Sequence, residues 1–251
     1  MFQEKIKAAL IHFLVTVIFT FAGVCFVNYF WFPYGTLEFL KGQELFFIAV
    51  ICDVVLGPLL SFVIFSSKKS RKELISDYAV IAFVQIAALA YGLYAIGQNR
   101  LQFLVFTVDR YEAVSAGELT RQDLLKAQEA KWRDPGYFGA KIVGVIPPLP
   151  TDTNYLNSVI AGIDGRDIQF SPEKYVDLLT VMKDVEKKIR PLSDFSADTR
   201  EKITRFIPQS IPQEKIGWLP LSHDRIFWTI LVYKDTGLPI RAIPLDPYGL
   251  K

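Results

Sequence analysis

The chain has 251 residues, of which 51% are hydrophobic and 22% are charged, and its formal net charge is +2. This balance excludes an intrinsically disordered chain, a collagen-like chain and a strongly basic nucleic-acid-binding protein. Two cysteines are too few for a disulfide framework or a four-thiolate zinc site. Seven of the 28 Lys and Arg residues precede Gln98, and this asymmetry predicts two different modules.

Three long apolar runs occupy the first hundred residues, at about 8–30, 45–65 and 78–96. A helix crosses the hydrocarbon core in roughly 20 residues at about 1.5 Å each, so every run is long enough to span a membrane. The first run exceeds the h-region of a signal peptide, and Trp31-Phe32-Pro33-Tyr34 after it is typical of an interfacial aromatic belt. We therefore predict a membrane module over residues 1–97, with an uncleaved first helix and three transmembrane helices.

Basic residues predict the orientation of this module. Lys5 and Lys7 precede the first run, and four of the five residues in 68–72 are Lys or Arg. Because such residues favour the cytoplasmic side, we expect the N-terminus and the 66–77 loop in the cytoplasm. Three crossings then place residues 98–251 in the periplasm of a Gram-negative cell, and the chain in the bacterial inner membrane.

Small and polar residues recur at helical spacing along each run. Such faces allow transmembrane helices to approach closely and to form hydrogen bonds. At 1.5 Å per residue, Thr20, Asp53 and Gln85 lie roughly 12–16 Å from the outer boundary, which predicts one shared polar layer. The three stripes are His12, Thr16, Thr20 and Gly23; Ala49, Asp53, Gly57 and Ser61; and Tyr78, Ala82, Gln85, Ala88 and Gly92.

Asp53 is the charged residue within the predicted spans. An ionised carboxylate that faces lipid costs at least about 2.5–3.5 kcal/mol, so Asp53 is expected to face the bundle, to be protonated or to meet a partner. Two interpretations stay open: a docking or proton-linked site, and a structural hydrogen bond to Gln85 or Thr20. Gly57-Pro58 follows, and a proline kink there predicts a notch that a partner helix could use.

Residues 98–251 are expected to form one α+β domain with a mostly antiparallel sheet. Branched and aromatic runs predict strands at 101–108, 142–146, 226–233 and 238–245, the last two joined by a hairpin turn at 234–237. Capping residues predict four helices. These begin at Thr120 and continue to about Trp132, begin at Thr153, begin at Ser171 and continue to about Arg190, and begin at Ser196 and end at Pro208.

We find no P-loop, dinucleotide fingerprint, nucleophile elbow or zincin motif in the sequence. Ser222-His223-Asp224 is interpreted as a surface turn, because a catalytic triad needs residues that are separated in sequence. Asp109-Arg110 after the first strand is either a recognition pair or an ordinary salt bridge at the membrane edge. We therefore expect no enzymatic activity, no cofactor and no metal site.

Six motifs within residues 5–115 carry a family resemblance: Lys7–Phe13, Trp31–Tyr34, Asp53–Leu60, Lys68–Arg71, Ala88–Tyr94 and Val105–Tyr111. With them the chain resembles the type IV pilin accessory proteins (TfpX/TfpZ), and the run Asp-Val-Val-Leu-Gly-Pro within a span is fairly specific. The resemblance implies an inner-membrane protein that assists a cognate major pilin before or during pilus assembly. It implies neither a cofactor nor catalysis.

The favoured hypothesis is a non-enzymatic, chaperone-like factor that contacts the transmembrane helix and the periplasmic head of a pilin. The alternative is a membrane-anchored periplasmic ligand sensor, because the 234–237 hairpin resembles those of PAS-like sensor domains; it would need a signalling partner. An intramembrane enzyme that uses Asp53 and His12 is disfavoured by a predicted separation of roughly 15 Å. The candidate pilin contacts are Thr20, Asp53, Gly57, Pro58, Gln85, Asp109 and Arg110.

Overall fold

The computed structural model describes residues 2–51, 54–55, 57–64, 69–148, 151 and 167–249. The chain divides into two compact units, Met1–Tyr29 with Lys41–Asn99, and Phe30–Leu40 with Arg100–Lys251. The segment Phe30–Leu40, which joins the first two predicted spans, thus belongs with the C-terminal part of the chain. We call the two the helical unit and the sheet unit.

Among its described residues, the helical unit contains the helices α1 (Phe2–Phe26), α2 (Gly42–Ile51), α3 (Gly57–Ile64) and α4 (Arg71–Asn99). A π-helical turn, Val27–Trp31, continues α1. Helix α1 packs against α3, and α4 packs against both α2 and α3. Two stretches among the described residues are long and apolar enough to cross a membrane, Phe2–Trp31 and Arg71–Asn99. The apolar N-terminal helix is consistent with membrane anchoring.

The prediction of three membrane-spanning helices is corrected to two candidate spans among the described residues. The described residues of the predicted second span include α2 and α3, which have 10 and 8 residues, whereas residues 52, 53 and 56 between these helices lie outside the described part of the chain. At about 1.5 Å per residue, neither helix alone crosses the hydrocarbon core. Pro58 is the second residue of α3 as described.

The described residues of the sheet unit form one sheet of eight strands in the order β4-β3-β1-β2-β6-β7-β8, with β5 also paired to β6. The prediction of a mostly antiparallel sheet is corrected: the sheet is mixed, because β1 pairs in parallel with β3 and β2 with β6. Parallel neighbours need a crossover connection, and the connection between β1 and β3 contains β2 and two short helices. The strands are β1 (Leu101–Phe106), β2 (Tyr111–Ser115), β3 (Lys141–Val145), β4 (Tyr175–Asp177), β5 (Arg190–Pro191), β6 (Ile216–His223), β7 (Ile226–Tyr233) and β8 (Pro239–Ile243).

Both faces of the sheet carry helical segments. Helices α5 (Arg121–Leu125) and α6 (Ala130–Arg133) bury Leu124 and Trp132 in one core with Phe103 and Val143. Gly144, which alternates with Val143, faces the other way, and a Cβ there would overlap Val181. The segment before α7 (Met182–Lys188) therefore approaches the opposite face. Helix α8 (Ala197–Thr204) buries Ile203 in a second core with Trp218 and Leu231.

Two predicted helix caps are confirmed, and two predicted helix lengths are wrong. The Thr120 capping box and the Ser196 cap are present. The first helix ends at Leu125. Arg133 stabilises the non-helical turn that follows, because its side chain donates hydrogen bonds to the carbonyls of Ala127 and Gln128. Helix α8 ends at Thr204, four residues before Pro208. The helix predicted to begin at Thr153 falls mostly on 152–166, outside the described residues.

The helix predicted from Ser171 to Arg190 is wrong over its first half. Pro172–Lys174 forms a 3-10 turn, Tyr175–Asp177 is strand β4, and the α-helix begins at Met182. Pairing with β3 and burial of Tyr175 against Phe103 stabilise the extended conformation. The hairpin of β7 and β8 is confirmed, with Gly237 at a φ of 65°.

The segment Phe30–Leu40 packs into the sheet unit. Phe32, Phe39 and Leu40 are 1–3% exposed, and the ring of Phe39 lies 5.2 Å from that of Trp228 on β7. Gly35, at a φ of 77°, approaches Arg241 and Ala242 of β8. Phe32 belongs to the predicted interfacial belt, but its burial makes it a core residue of the sheet unit.

Candidate functional site

A partly open cavity of about 310 Å³ lies among α1, α2 and α4 of the helical unit. All four residues of the stripe predicted on the first span line it, and so does Gln85 of α4. The remaining wall is apolar. The lining residues are His12, Val15, Thr16, Phe19, Thr20, Gly23, Phe46, Val50, Gln85, Ile86, Leu89, Leu93 and Ile96. The cavity therefore combines small residues with four polar side chains.

One end of the cavity is formed by a polar cluster. His12 Nδ1 and the hydroxyl of Ser61 on α3 are 2.5 Å apart and share a hydrogen bond. Ser61 is fully buried, so His12 supplies the partner that its hydroxyl needs in an apolar surrounding. This bond joins α1 to α3.

The absence of a side chain at Gly57 allows α1, α3 and α4 to approach one another closely. A Cβ at this position would overlap the side-chain amide nitrogen of Gln85 and would lie 2.9 Å from His12 Nε2. A glycine thus lets a histidine and a glutamine from two other helices converge on one point of the α3 backbone. The sequence analysis did not place His12 beside Gly57 and Gln85. The position of His12 in the α1 stripe was the signal that could have indicated this contact.

The predicted contact residues of the helical unit divide into three groups. Thr20 and Gln85 line the same cavity, and Gly57 is buried against Gln85. Pro58 follows Gly57 in the first turn of α3. Asp53 lies outside the described residues, so its place in the predicted polar layer stays a prediction.

Asp109 and Arg110 lie in the turn between β1 and β2. Arg110 Nε donates to Asp109 Oδ1 at 2.8 Å, and the guanidinium lies 5.7 Å from the centre of the Phe227 ring. The backbone closes the turn, since Thr107 N donates to the Arg110 carbonyl. The six residues of β1 carry this turn about 20 Å away from Arg100. The pair is therefore at the end of β1 that is remote from Arg100.

Glu112 adds a partly buried carboxyl beside this pair, which sequence reasoning missed. Its side chain is 15% exposed and lies 3.8 Å from Arg110 Nε. Burial raises the pKa of Glu112 to about 7, while a hydrogen bond with Ser222 and the Arg110 charge act in the opposite direction. The alternation of side chains between the two faces of β2 was the signal that the sequence offered for the position of Glu112. This alternation does not identify the strand that covers Glu112.

The surface turn predicted at Ser222-His223-Asp224 is shifted, because Ser222, which is buried, and His223 end β6 and the turn is formed by Asp224 and Arg225, at φ of 49° and 64°. His223 Nδ1 lies 3.0 Å from the Ala113 carbonyl and 3.9 Å from a Glu118 carboxylate oxygen. Within the described residues, no group of three His, Cys, Asp or Glu side chains is placed to hold a metal ion.

The chain is similar to fimbrial assembly proteins of Dichelobacter nodosus. The serogroup I protein is 28% identical over 258 residues, covering 100% of this chain and 98% of the relative. The serogroup E1 protein is 25% identical over 256 residues, with the same coverage. No family model and no solved structure matches the chain.

A third relative, the fimbrial assembly protein of serogroups C1 and C2, is 35% identical over 129 residues. The alignment covers 95% of that protein and 51% of this chain. Together with the two full-length matches, this similarity supports a role in pilus assembly. The chain belongs to the fimbrial assembly protein family.

Proposed function

We propose that the chain is a membrane-embedded, chaperone-like factor that holds a cognate type IV major pilin before or during pilus assembly. A pilin subunit in the membrane has one apolar N-terminal helix and a periplasmic head. The observation that carries the proposal is the cavity among α1, α2 and α4, in a member of a family of fimbrial assembly proteins. The cavity would receive side chains of the pilin helix.

The size and lining of the cavity suit a transient partner. A cavity of about 150 Å³ admits a benzene molecule, so 310 Å³ has room for one or two large apolar side chains. Thr16, Thr20 and Gln85 offer hydrogen bonds worth around 0.6 kcal/mol each in a membrane. Binding of this kind is weak and reversible, as a hand-over step requires.

The two-unit division supports a membrane topology in which the sheet unit meets the pilin head. Phe30–Leu40 follows α1, Arg100–Lys251 follows α4, and both segments belong to one compact unit. A compact unit lies on one side of a membrane, so α1 and α4 would deliver the chain to the same side. Residues 41–70, which contain α2 and α3, would then cross back to the first side.

Photo-crosslinking from the cavity tests this function. A photoreactive residue at Thr20, which lines the cavity, is expected to capture the pilin in cells. The matched control is Ile18, on the same helix, 67% exposed and outside the cavity lining. Absence of pilin capture from Thr20 while the protein is folded, or equal capture from both positions, would contradict the proposal.

Filling the cavity is the complementary test. A Cβ at Gly23 has open space around it, so Gly23→Leu places a side chain in the cavity and replaces a poor helix former. We expect G23L to reach wild-type levels in the membrane but to lose capture from Thr20 and surface pili. The control is Ile18→Leu, which leaves the cavity unchanged; piliation by G23L at the wild-type level would contradict a docking role.

The Asp109–Arg110 turn and Asp53 are the remaining proposed contacts. The turn would meet the pilin head, because it belongs to the sheet unit and lies at the end of β1 that is remote from Arg100. Asp53→Asn removes the charge with little change in shape and is expected to reduce pilin capture from Thr20. The control is Asp77→Asn, at an exposed carboxylate paired with Lys69.

A further inference from the structure

We propose that the loop 134–139 of the sheet unit is a second membrane-binding element, which inserts Tyr137 and Phe138 into the headgroup layer of the bilayer. This inference rests on the membrane anchoring in the proposed function, but not on pilin binding. The occupant that it assigns to this surface is phospholipid.

Tyr137 and Phe138 form an exposed aromatic pair on the sheet unit. Tyr137 is 72% exposed and Phe138 is 60% exposed. They are flanked by Gly136 and Gly139, at φ of 76° and 70°, a conformation that other residues adopt only with strain. The two glycines thus build a tight loop whose tip carries two large rings.

The loop is fixed to the residues at which the chain leaves its candidate spans. Gly139 N donates to the Phe30 carbonyl at 2.8 Å, and the Phe138 and Phe30 rings are 5.7 Å apart in an edge-to-face arrangement. The Arg100 guanidinium lies 5.3 Å from the centre of the Tyr137 ring. Phe30 lies at the end of the apolar stretch Phe2–Trp31, and Arg100 directly follows Arg71–Asn99.

These contacts determine the depth of the loop once the two stretches cross a bilayer. Their C-terminal ends then lie at the membrane surface, and Tyr137 and Phe138, which touch those ends, lie at the same level. Aromatic rings are enriched at this level because an apolar body and a polar edge both find partners there. Arg100 adds a positive charge that complements lipid phosphates.

Spin labels in the full chain test the inference without pilin. In a variant with Cys25→Ala and Cys52→Ala, labels are placed one at a time through Tyr137→Cys, Phe138→Cys and Tyr248→Cys. Tyr248 is the matched control, because it is a 52% exposed aromatic residue stacked on Phe227, at the Arg110 end of β1. The protein is reconstituted in bilayers of phosphatidylethanolamine and phosphatidylglycerol.

The measured quantity is the ratio of oxygen to nickel-chelate accessibility, which rises as a label enters lipid. We expect a several-fold higher ratio at 137 and 138 than at 248. Equal ratios at the three positions would overturn the inference. A fourth label at Ile18 separates the two possible failures: a lipid-exposed label at 18 with aqueous labels at 137 and 138 refutes the loop and keeps the anchor, whereas aqueous labels at all positions refute both.

Discussion

Glu112 couples the stability of the sheet unit to pH. Burial raises its pKa to about 7 from an ordinary value of 4.5. Between these values the folded state holds a proton that the unfolded chain has released, so the free energy of unfolding falls as the pH rises. The loss is complete above about pH 7. The polar groups that act on this carboxyl are Arg110, Ser222, Asp109 and Asp167.

Glu112→Gln is expected to remove this part of the pH dependence, because glutamine stays neutral and can still bond to Ser222. The melting temperature of the wild-type chain in detergent should fall between pH 5 and pH 8, and that of E112Q should fall less. Tryptophan fluorescence reports on this unit, since all four tryptophans belong to it. Glu186→Gln, at an exposed glutamate, is the control with the same charge change. Identical pH profiles for wild type and E112Q would contradict the assignment.

The hydrogen bond between His12 and Ser61 is a second property of single residues that can be measured. We expect a double-mutant cycle of His12→Ala and Ser61→Ala to give a coupling energy of about 0.6 kcal/mol, the average for such bonds in a membrane protein. The measurement is loss of far-ultraviolet circular dichroism of the full chain during titration with sodium dodecyl sulfate. Additive effects of the two substitutions would show that the bond adds no stability to the helical unit.

At the scale of elements, local patterns predicted caps, turns and continuous apolar strands. Thr120 and Ser196 satisfy backbone donors of their own helices, and Gly237 meets a local requirement for positive φ. Strand β6 was missed because Gly217 and Pro220 interrupt its apolar run. Its stability comes instead from pairing with three other strands.

Contacts between residues that are distant in sequence account for the other features of the structure that the sequence did not predict. The apolar cavity wall mixes residues from three helices, and the α1 stripe predicted one side of it. The same limit applies to the segment 30–40, where Phe39 meets Trp228 across most of the chain length. The sequence periodicity around Phe39 and around Trp228 does not predict this contact. The aromatic run that was interpreted as a membrane belt therefore contributes in part to the core of the sheet unit.

Phe39→Ala measures how far this segment stabilises the sheet unit. Phe39 is 1% exposed, and truncation of a buried phenylalanine costs about 3–5 kcal/mol. We expect a loss of this size in urea unfolding of the full chain in detergent, followed by tryptophan fluorescence. Leu179→Ala, at a residue that is 78% exposed, should change stability by less than about 0.5 kcal/mol. Equal effects of the two substitutions would contradict an integral role for the segment.

At the scale of the whole molecule, the proposed topology predicts how many times the chain crosses the membrane. If only α1 and α4 crossed the membrane, residues 30–40 and residue 72 would lie on the same side. The crossing by α4 would then place residues 100–251 on the opposite side. That arrangement separates 30–40 from 100–251, although both belong to one compact unit. A return through α2 and α3 removes the conflict and agrees with the basic residues at 68–72.

Single cysteines at Lys72 and Leu179, both exposed, distinguish these arrangements in the full chain with Cys25→Ala and Cys52→Ala. In intact cells, a maleimide that passes the outer but not the inner membrane is expected to label L179C and not K72C. Lysis of the inner membrane should then make K72C reactive, which shows that its thiol is accessible. If L179C also required lysis, the sheet unit would lie in the cytoplasm, where it could not meet a pilin head, and the proposed hand-over would be refuted.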